Sequence, residues 1–131
     1  GGKAEEVSIG WTVGVQNYKF INTFPWVQDQ QQFVSLIHSH KDQVTALPKS
    51  AELIASNPRV PIAMFRIGNH IMSMQGHPEF THEYAHAVAF MRKEVLGKEA
   101  YEKASFSLKN ETTDNVEVAK WWVDFFRQNN Q

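Results

Sequence analysis

The chain has 131 residues, of which 42% are hydrophobic and 12% aromatic, the length and composition of one globular domain with its own core. A formal net charge of −1 gives no reason to expect binding to nucleic acid or to an anionic membrane, and no apolar run approaches the ~20 residues of a membrane span. Because the chain has no cysteine, disulfides, thiolate metal sites and thiol catalysis by its own residues are excluded, and a cytoplasmic location is expected.

The N-terminal part of the chain is predicted to form strands. Apolar residues alternate with small or polar ones over residues 7–15, which is typical of a half-buried strand, and extended structure is expected to continue to Ile21. Residues 32–40 indicate a second strand that is buried on both faces. Its buried residues are expected to be Phe33, Val34, Leu36 and Ile37.

A short third strand and a hairpin are predicted next. Residues 52–56 indicate the third strand. The apolar runs 62–67 and 70–74 flank Gly68 and Asn69, which tolerate positive φ and therefore favour a two-residue hairpin turn.

Helices are predicted to follow. Thr81 is a suitable N-cap for a helix that runs to about Leu96 and is closed by Gly97. Spacings of four, three and four predict an apolar stripe on this helix, formed by Tyr84, Val88, Met91 and Val95.

Two further helices are expected at the C-terminus. Residues 98–108 form the weaker of the two. Asp114 and Glu117 resemble a capping box that starts the last helix. Its buried residues are predicted to be Val118, Trp122 and either Phe125 or Phe126.

A histidine and a glutamate flank a proline at residues 77–79. Proline disfavours the helical region for the residue before it, so His77 is expected to be extended. Residues i and i+2 of an extended chain point to the same side, so Glu79 can bind one ring nitrogen of His77 while the other faces a cleft. An imidazole whose tautomer is fixed by a carboxylate can act as a general base, although the same residues also suit an ordinary turn. A base of this kind needs a nucleophile, and the chain has no cysteine.

Residues 82–86 read His-Glu-Tyr-Ala-His, which matches the H-E-x-x-H pattern of zinc peptidases. The phase of the helix argues against a zinc site. At about 100° per residue from Tyr84, the apolar stripe lies within roughly 40° of zero, whereas His82 and His86 lie roughly 160° away on either side. Both histidines are therefore expected to point towards solvent, and no third ligand is well placed downstream. A zinc peptidase is the less favoured alternative.

A second metal-like pattern, H-x-H-x-D, covers residues 38–42 at the end of a predicted strand. Alternate residues of a strand share a face, so His38, His40 and Asp42 could bind one metal ion. Gln43 replaces the histidine that usually completes this pattern, and no second histidine cluster is present. The favoured interpretation is a strand end whose polar side chains are satisfied locally.

An ordered series of motifs spans residues 40–79. The series consists of His40-x-Asp42-x-Val44, Leu47-Pro48, Ala51, Leu53, Ala55-Ser56, Phe65, Gly68 and Gln75-x-His77-Pro78-Glu79. It is preceded by Gly10-Trp11-x-Val13-Gly14. Together these residues resemble the C-terminal half of a class I glutamine amidotransferase domain, closest to the stand-alone, GMP-synthetase-like members, over roughly the first three quarters of the chain.

The resemblance implies an α/β fold. The chain would be the C-terminal half of a flavodoxin-like domain, with a mostly antiparallel or mixed sheet followed by C-terminal helices. All 131 residues would then form a single partial domain. Its strand-rich core would cover residues 1–80 and its helices residues 81–131.

The resemblance also implies a glutamine-hydrolysing site. In that family a cysteine on a G-x-C-x-G elbow attacks the side-chain amide of glutamine, a histidine activates the thiol and a glutamate orients the histidine. His77 would therefore be the general acid/base, and Glu79 its orienter. The amino-acid end of glutamine would be bound mainly by the backbone of Ser39, His40, Lys41 and Asp42. No cofactor and no metal is implied.

Three residues depart from the family pattern. Gly76 stands where phenylalanine is usual, Lys41 where glycine or glutamine is commoner, and Ser50 where glycine is common. The departures leave the histidine and the glutamate in place, but they make the subfamily uncertain.

The nucleophile is the main difference from the family, because the cysteine elbow would precede the Gly-Trp strand. We therefore expect the chain to be a fragment of a longer amidotransferase and to be inactive alone. The expected partners are glutamine or a γ-glutamyl compound, the missing N-terminal half, and a synthetase domain or subunit that receives ammonia. Unpaired strand edges also predict self-association of the fragment. The alternative is a complete, non-catalytic amidotransferase-like binding module.

Overall fold

The computed structural model describes residues 1–27 and 31–128, with strands first and helices after them. The strands are β1 (Lys3–Glu6), β2 (Thr12–Phe20), β3 (Phe33–His40), β4 (Asp42–Ala46), β5 (Ala51–Ser56), β6 (Met64–Ile67) and β7 (Ile71–Met74). The helices are α1 (His82–Met91), α2 (Lys93–Leu96), α3 (Lys98–Asn110) and α4 (Asn115–Gln128). Within the described residues, no helix combines the length and the apolar character that crossing a membrane would require.

Five strands form one antiparallel sheet in the order β3-β2-β5-β6-β7, and β1 pairs with β4 in a separate two-stranded ribbon. The β2–β3 ladder extends from Thr12 opposite His40 to Lys19 opposite Phe33. Strands β3 and β7 are therefore the two edges of the larger sheet. The predicted architecture, a mostly antiparallel sheet followed by helices, is confirmed.

Helices pack on both faces of the sheet. Val15 of β2 lies opposite Ile37 of β3 in the ladder, so the two side chains share one face of the sheet. On that face they pack with Ala85 of α1 and Leu108 of α3. The other face carries the larger apolar cluster, to which α4 contributes Val118, Trp121 and Phe125.

The predicted strand over residues 7–15 is wrong in its first half. The chain turns there instead, with the Gly10 N–H donating to the Val7 carbonyl at 3.0 Å. Gly10 has a φ of 72°, a left-handed conformation that glycine adopts without a steric penalty. Strand β2 begins only at Thr12, which leaves Ile9 48% exposed.

The sequence does not predict β1 or β4. All four residues of β1 are exposed, so this strand lacks the apolar alternation that would reveal it. Phe33, predicted to be buried, is 48% exposed because it starts the edge strand β3. The other three residues predicted to be buried in β3 are fully buried, namely Val34, Leu36 and Ile37.

The predicted hairpin forms, with a longer connection than expected. Strands β6 and β7 pair antiparallel, with Ile67 opposite Ile71. Residues 68–70 connect them, so the loop has one residue more than the two-residue turn that the sequence favours. Gly68 adopts the expected positive φ, at 53°.

The buried face of α1 lies opposite the predicted one. Ala85 and Ala89 are buried, whereas Tyr84, at the centre of the predicted stripe, is 54% exposed. At about 100° and 140° from Tyr84, the two alanines lie close to His82 and His86 on the helix surface. The two histidines are therefore half-buried and do not point towards solvent as predicted. Small side chains form this face because they let the helix backbone approach α3 and β3 closely.

The end of this helical region is largely as predicted. The helix breaks at Arg92, whose φ of −100° and ψ of 8° separate α1 from α2. Gly97 closes α2 with a φ of 81°, as expected. Met91 and Val95 of the predicted stripe are 83% and 69% exposed, so the stripe does not form a packing surface here either.

Asp114 does not form the predicted capping box. Its carboxylate accepts a hydrogen bond from the Ser35 N–H at 2.7 Å, and its own N–H donates to the Ser35 carbonyl at 2.8 Å. This pair of bonds ties the start of α4 to β3.

The core-facing residues of α4 are only partly those predicted. Val118 and Phe125 are buried as expected, but the buried tryptophan is Trp121 and not Trp122. Trp121 is three residues from Val118 and four from Phe125, so it shares their face of the helix. The predicted C-terminal region also includes residues 129–131, which lie outside the described residues.

Replacing Thr81 with alanine tests the helix cap. The Thr81 hydroxyl accepts a hydrogen bond from the Tyr84 N–H at 3.1 Å, as its predicted role requires. Its loss is expected to lower the free energy of unfolding by about 1 kcal/mol, measured by chemical denaturation. Thr112→Ala, at an exposed position between helices, is the control and should change stability by less than about 0.5 kcal/mol. Equal losses in the two variants would contradict the capping role.

Candidate active site

His77 lies in the loop that joins β7 to α1. Its backbone N–H donates to the Ile37 carbonyl of β3 at 2.8 Å, which ties the loop to the sheet. Its ring stacks on Phe80, with 4.2 Å between the ring centroids and 7° between the planes. The backbone bond and the stacked ring together hold the imidazole in one orientation.

Glu79 contacts His77 as predicted, but through a turn and not through an extended chain. Pro78 and Glu79 lie in a turn that the Phe80 N–H closes by donating to the His77 carbonyl at 3.2 Å. The His77 Nδ1 atom lies 2.7 Å from the Glu79 Oε1 atom. An ionised carboxylate only accepts hydrogen bonds, so the proton of a neutral His77 ring belongs on Nδ1. The lone pair is then on Nε2. With 33% of the His77 side chain exposed, a reacting group can reach the ring.

Gly76, immediately before His77, is buried against the sheet. A Cβ atom at this position would lie 2.6 Å from the Tyr18 hydroxyl, 2.8 Å from the Leu36 Cβ and 3.0 Å from His38 Nε2. No side chain fits there without displacing the sheet or these groups. The phenylalanine expected from the resemblance is therefore absent for a steric reason, because Tyr18 and His38 already occupy its space.

Tyr18, His38 and His40 form a buried chain of hydrogen bonds beside this glycine. The Tyr18 hydroxyl contacts His38 Nε2, and His38 Nδ1 lies 2.7 Å from His40 Nε2. Tyr18 and His38 are fully buried, whereas His40 is partly accessible. Both histidines belong to β3, where alternate residues share a face.

Burial controls the protonation of this chain. It raises the pKa of the Tyr18 hydroxyl and lowers the pKa of His38 to about 3, with His40 and His77 lowering the latter further. Burial also lowers the pKa of His40. The backbone of Asp42 opposes that shift in pKa, while the charges of His77 and Arg59 add to it. All three side chains are therefore neutral at pH 7.

Of the predicted substrate-binding residues, His40 lies close enough to His77 for the charge of His77 to lower the pKa of His40. The Ser39 hydroxyl accepts a hydrogen bond from Arg92 at 3.2 Å, and the Lys41 ammonium pairs with Glu6 at 2.6 Å. Asp42 is exposed at the start of β4. The side chains of this segment thus have separate partners, and its substrate-binding role remains a prediction about its backbone.

The Gln75 side chain forms hydrogen bonds that tie the His77 loop to β4 and to the segment before β6. Its side-chain oxygen accepts from the Val44 N–H at 3.0 Å, and its side-chain nitrogen donates to the Ile62 carbonyl at 2.7 Å. Its backbone N–H donates to the Ala63 carbonyl at 3.0 Å. The bond to Val44 joins the loop to β4, the strand that begins at Asp42.

The two histidines of the H-E-x-x-H segment have contacts of their own, although Tyr84 between them packs on Phe80, with 4.8 Å between the ring centroids. His82 Nε2 lies 3.0 Å from the Glu111 carbonyl oxygen, so this nitrogen carries the proton and cannot bind a metal ion. The His86 ring packs near Tyr101, with 6.5 Å between the ring centroids. Across residues 1–27 and 31–128, no three His, Cys, Asp or Glu side chains are grouped as a metal site, and this includes residues 38–42.

The sequence does not identify Tyr18 as part of the site. It reaches His38 across the β2–β3 ladder, and this contact depends on a register that spacing along one strand does not reveal. A signal is nevertheless present. The glycine in place of an aromatic residue at position 76 indicates that another side chain fills that space.

Comparison with known proteins points to one family. The family model for glutamine amidotransferase class-I matches residues 2–96. Gamma-glutamyl peptidase 3 of Arabidopsis thaliana is 29% identical over 96 residues, which cover 72% of this chain and 39% of that protein. The glutamine-hydrolysing GMP synthase of Cellvibrio japonicus is 41% identical over 56 residues, which cover 42% of this chain and 11% of that protein. The matched region thus spans about two fifths of the length of the peptidase relative, and a smaller share of the GMP synthase.

Solved structures share the fold at low sequence identity. A glutamine amidotransferase from Thermotoga maritima superposes with a TM-score of 0.68 and 14% identity, covering 98% of this chain and 54% of that one. A glutamine amidotransferase from Methylobacillus flagellatus also has a TM-score of 0.68, with 11% identity, over 98% of this chain and 54% of its own. At these identities the structures show the fold alone.

Proposed function

Since the chain belongs to the class I glutamine amidotransferase family, as its motifs predict, we propose that it supplies the acid/base pair of an enzyme that hydrolyses a γ-glutamyl amide. The observation that carries the proposal is the 2.7 Å contact between His77 Nδ1 and Glu79, on an imidazole whose side chain is 33% exposed. A carboxylate on one nitrogen of an imidazole orients the ring and stabilises its protonated form.

Each proton in the proposed reaction passes through His77. Its Nε2 atom takes the proton of a cysteine thiol, and the thiolate attacks the amide carbon. The same nitrogen then protonates the nitrogen of the leaving group, which departs as ammonia when the substrate is glutamine, and a thioester remains. In the second half of the reaction, Nε2 takes a proton from water, which attacks the thioester carbon. The C–S bond breaks, glutamate is released, and Nε2 returns the proton to the thiolate. Glu79 holds Nδ1–H throughout and stays ionised.

The thiol in this scheme has to come from outside the 131 residues, which contain no cysteine. We propose that it lies on a G-x-C-x-G elbow of an N-terminal half of the same domain. The β7 edge of the sheet is compatible with association, because Ile71 on it is 43% exposed. On β3, Phe33 is 48% exposed, but the backbone groups of Ser35 and Ile37 already bind Asp114 and His77. The β7 edge would drive self-association of this chain in the absence of that half.

The substrate is proposed to be glutamine or a related γ-glutamyl compound. The names of the two relatives include both kinds of substrate. One relative is a γ-glutamyl peptidase and the other is a glutamine-hydrolysing GMP synthase. Ammonia released from glutamine would pass to a synthetase domain or subunit. A γ-glutamyl peptide would instead release an amine or a peptide.

The missing thiol also favours a second candidate function. A chain that keeps the fold and the His77–Glu79 pair but lacks a nucleophile could bind a γ-glutamyl compound without cleaving it. This binding module is a different class of protein, and the assay below distinguishes it from an enzyme.

Ammonia release from glutamine tests the proposal. The chain alone is expected to release none, because no residue in it replaces the thiolate. Mixing it with the cysteine-bearing N-terminal half should restore hydrolysis, and a Cys→Ser version of that half is the matched control. Hydrolysis by the chain alone would contradict the proposed role of the thiol. Binding of glutamine without hydrolysis by the assembled protein would support the binding module.

A further inference from the structure

The proton of Tyr18 sets the direction that we assign to the hydrogen bonds joining Tyr18, His38 and His40. A neutral tyrosine carries one proton on its hydroxyl, and His38 Nε2 is its hydrogen-bond partner among the described residues. If that proton goes to Nε2, the proton of neutral His38 is on Nδ1. His38 Nδ1–H then donates to His40 Nε2 at 2.7 Å, which leaves the proton of His40 on its own Nδ1, a buried atom without a hydrogen-bond partner among the described residues.

This direction determines what His40 can do. Its Nε2 lone pair is already used by His38, so neutral His40 offers no lone pair to a substrate, a thiol or a metal ion. The groups that face His40 are His38 on its own strand, His77 on the loop, Arg59, and Asp42 at the start of β4. His77 is then the only histidine of this cluster with a lone pair available for proton transfer.

We propose that Tyr18 and His38 are positioning residues that fix His40, and through it the backbone of residues 39–42, beside His77. The proposal rests on the function proposed above, in which that backbone binds the amino-acid end of the substrate. His40 is the last residue of β3 and is separated by one residue from the start of β4. An anchored imidazole at this point restricts the turn between the two strands.

Gly76 gives the proposal a second, independent observation. The Tyr18 hydroxyl and His38 Nε2 occupy the space that a side chain at position 76 would need. The hydrogen-bonded pair therefore packs directly on the residue before His77. One buried pair thus contacts both sides of the site, His40 through a hydrogen bond and the His77 loop through packing.

The test is the Tyr18→Phe variant, which removes one hydroxyl and keeps the ring. In the protein assembled with its cysteine-bearing half, we expect KM for glutamine to rise about threefold to tenfold, the equivalent of one lost hydrogen bond, with kcat changed by less than about twofold. Tyr101→Phe is the matched control, because Tyr101 lies on α3 near His86, and its KM should be unchanged.

Ring-nitrogen NMR on the chain alone provides a readout that does not depend on activity. His38 and His40 are both expected to carry their proton on Nδ1 at pH 7, and His38, whose pKa burial lowers to about 3, is expected to stay neutral at pH 5. In Tyr18→Phe, His38 should lose this fixed tautomer. His38→Gln is the second variant, and it should release His40 to exchange between tautomers and to titrate.

The possible outcomes separate this proposal from the proposed function. Wild-type protein that does not hydrolyse glutamine, with the expected tautomers present, would overturn the proposed function and leave the hydrogen-bonded chain established. Active protein in which Tyr18→Phe changes neither KM nor the tautomers would overturn the positioning role. A proton on His38 Nε2 in the wild-type chain would overturn it directly.

Discussion

Replacing His77 with alanine is expected to lower kcat/KM for glutamine hydrolysis by at least about 100-fold in the assembled protein, because a general acid/base contributes about 10²–10⁴-fold. The thiol loses the base that activates it, and the leaving ammonia loses its acid. The measurement is the rate of ammonia release at pH 7 with saturating and with limiting glutamine. Most of the loss should appear in kcat, since the imidazole acts in the transition state and not in substrate binding.

Two further variants test whether the loss of kcat/KM is specific to His77 and to Glu79, which orients it. Glu79→Gln keeps a hydrogen-bond acceptor beside Nδ1 but removes the charge, and it should lower kcat/KM by about tenfold. His86→Ala should leave the rate unchanged, because the His86 ring packs near Tyr101 of α3. Full activity of His77→Ala would contradict the proposed mechanism. A loss caused by His86→Ala, together with dependence on zinc, would favour the H-E-x-x-H alternative.

Acid is expected to destabilise the fold through His38. Because burial lowers the pKa of His38 from 6.5 to about 3, the folded chain stays unprotonated there while the unfolded chain takes up a proton. Between these two values the unfolded state binds more protons, so the stabilisation is complete above about pH 6.5 and is lost as the pH falls. From pH 7 to pH 5 the free energy of unfolding should fall by about 2 kcal/mol from this residue alone.

His38→Gln isolates this contribution, because glutamine is polar and does not titrate. The measurement is chemical denaturation at several pH values between 7 and 5, and the quantity compared is the slope of the unfolding free energy with pH. The lowered pKa of His40 gives a slope of the same sign in both proteins. The wild-type slope should exceed that of the variant because only the wild type contains His38. Equal slopes in the two proteins would show that His38 is not buried in its neutral form.

The contact at the centre of the site could be predicted because it is local. His77 and Glu79 are two residues apart across a proline, so their side chains meet within one short segment. The backbone there is a turn and not the extended chain that the sequence predicts, but the small separation still brings the two groups into contact. The cap at Thr81 and the closure at Gly97 are predictable for the same reason, since each depends on a few neighbouring residues.

Contacts between elements were not predictable in the same way. The sequence places the apolar stripe of α1 at Tyr84, but the helix packs through Ala85 and Ala89, because approach distance and not hydrophobicity determines its face. Tyr18 meets His38 through the register of two strands, which spacing along the chain does not reveal. The exposed strand β1 lacks any alternation that could indicate it.

The central claim is that His77 and Glu79 serve a cysteine that lies outside these 131 residues. Mass-spectrometric sequencing of the endogenous polypeptide that contains them tests this most directly. The account predicts a longer polypeptide, in which a G-x-C-x-G elbow precedes Gly1. An endogenous polypeptide that begins at Gly1, with at most a methionine before it and with no cysteine-bearing partner, would contradict the account.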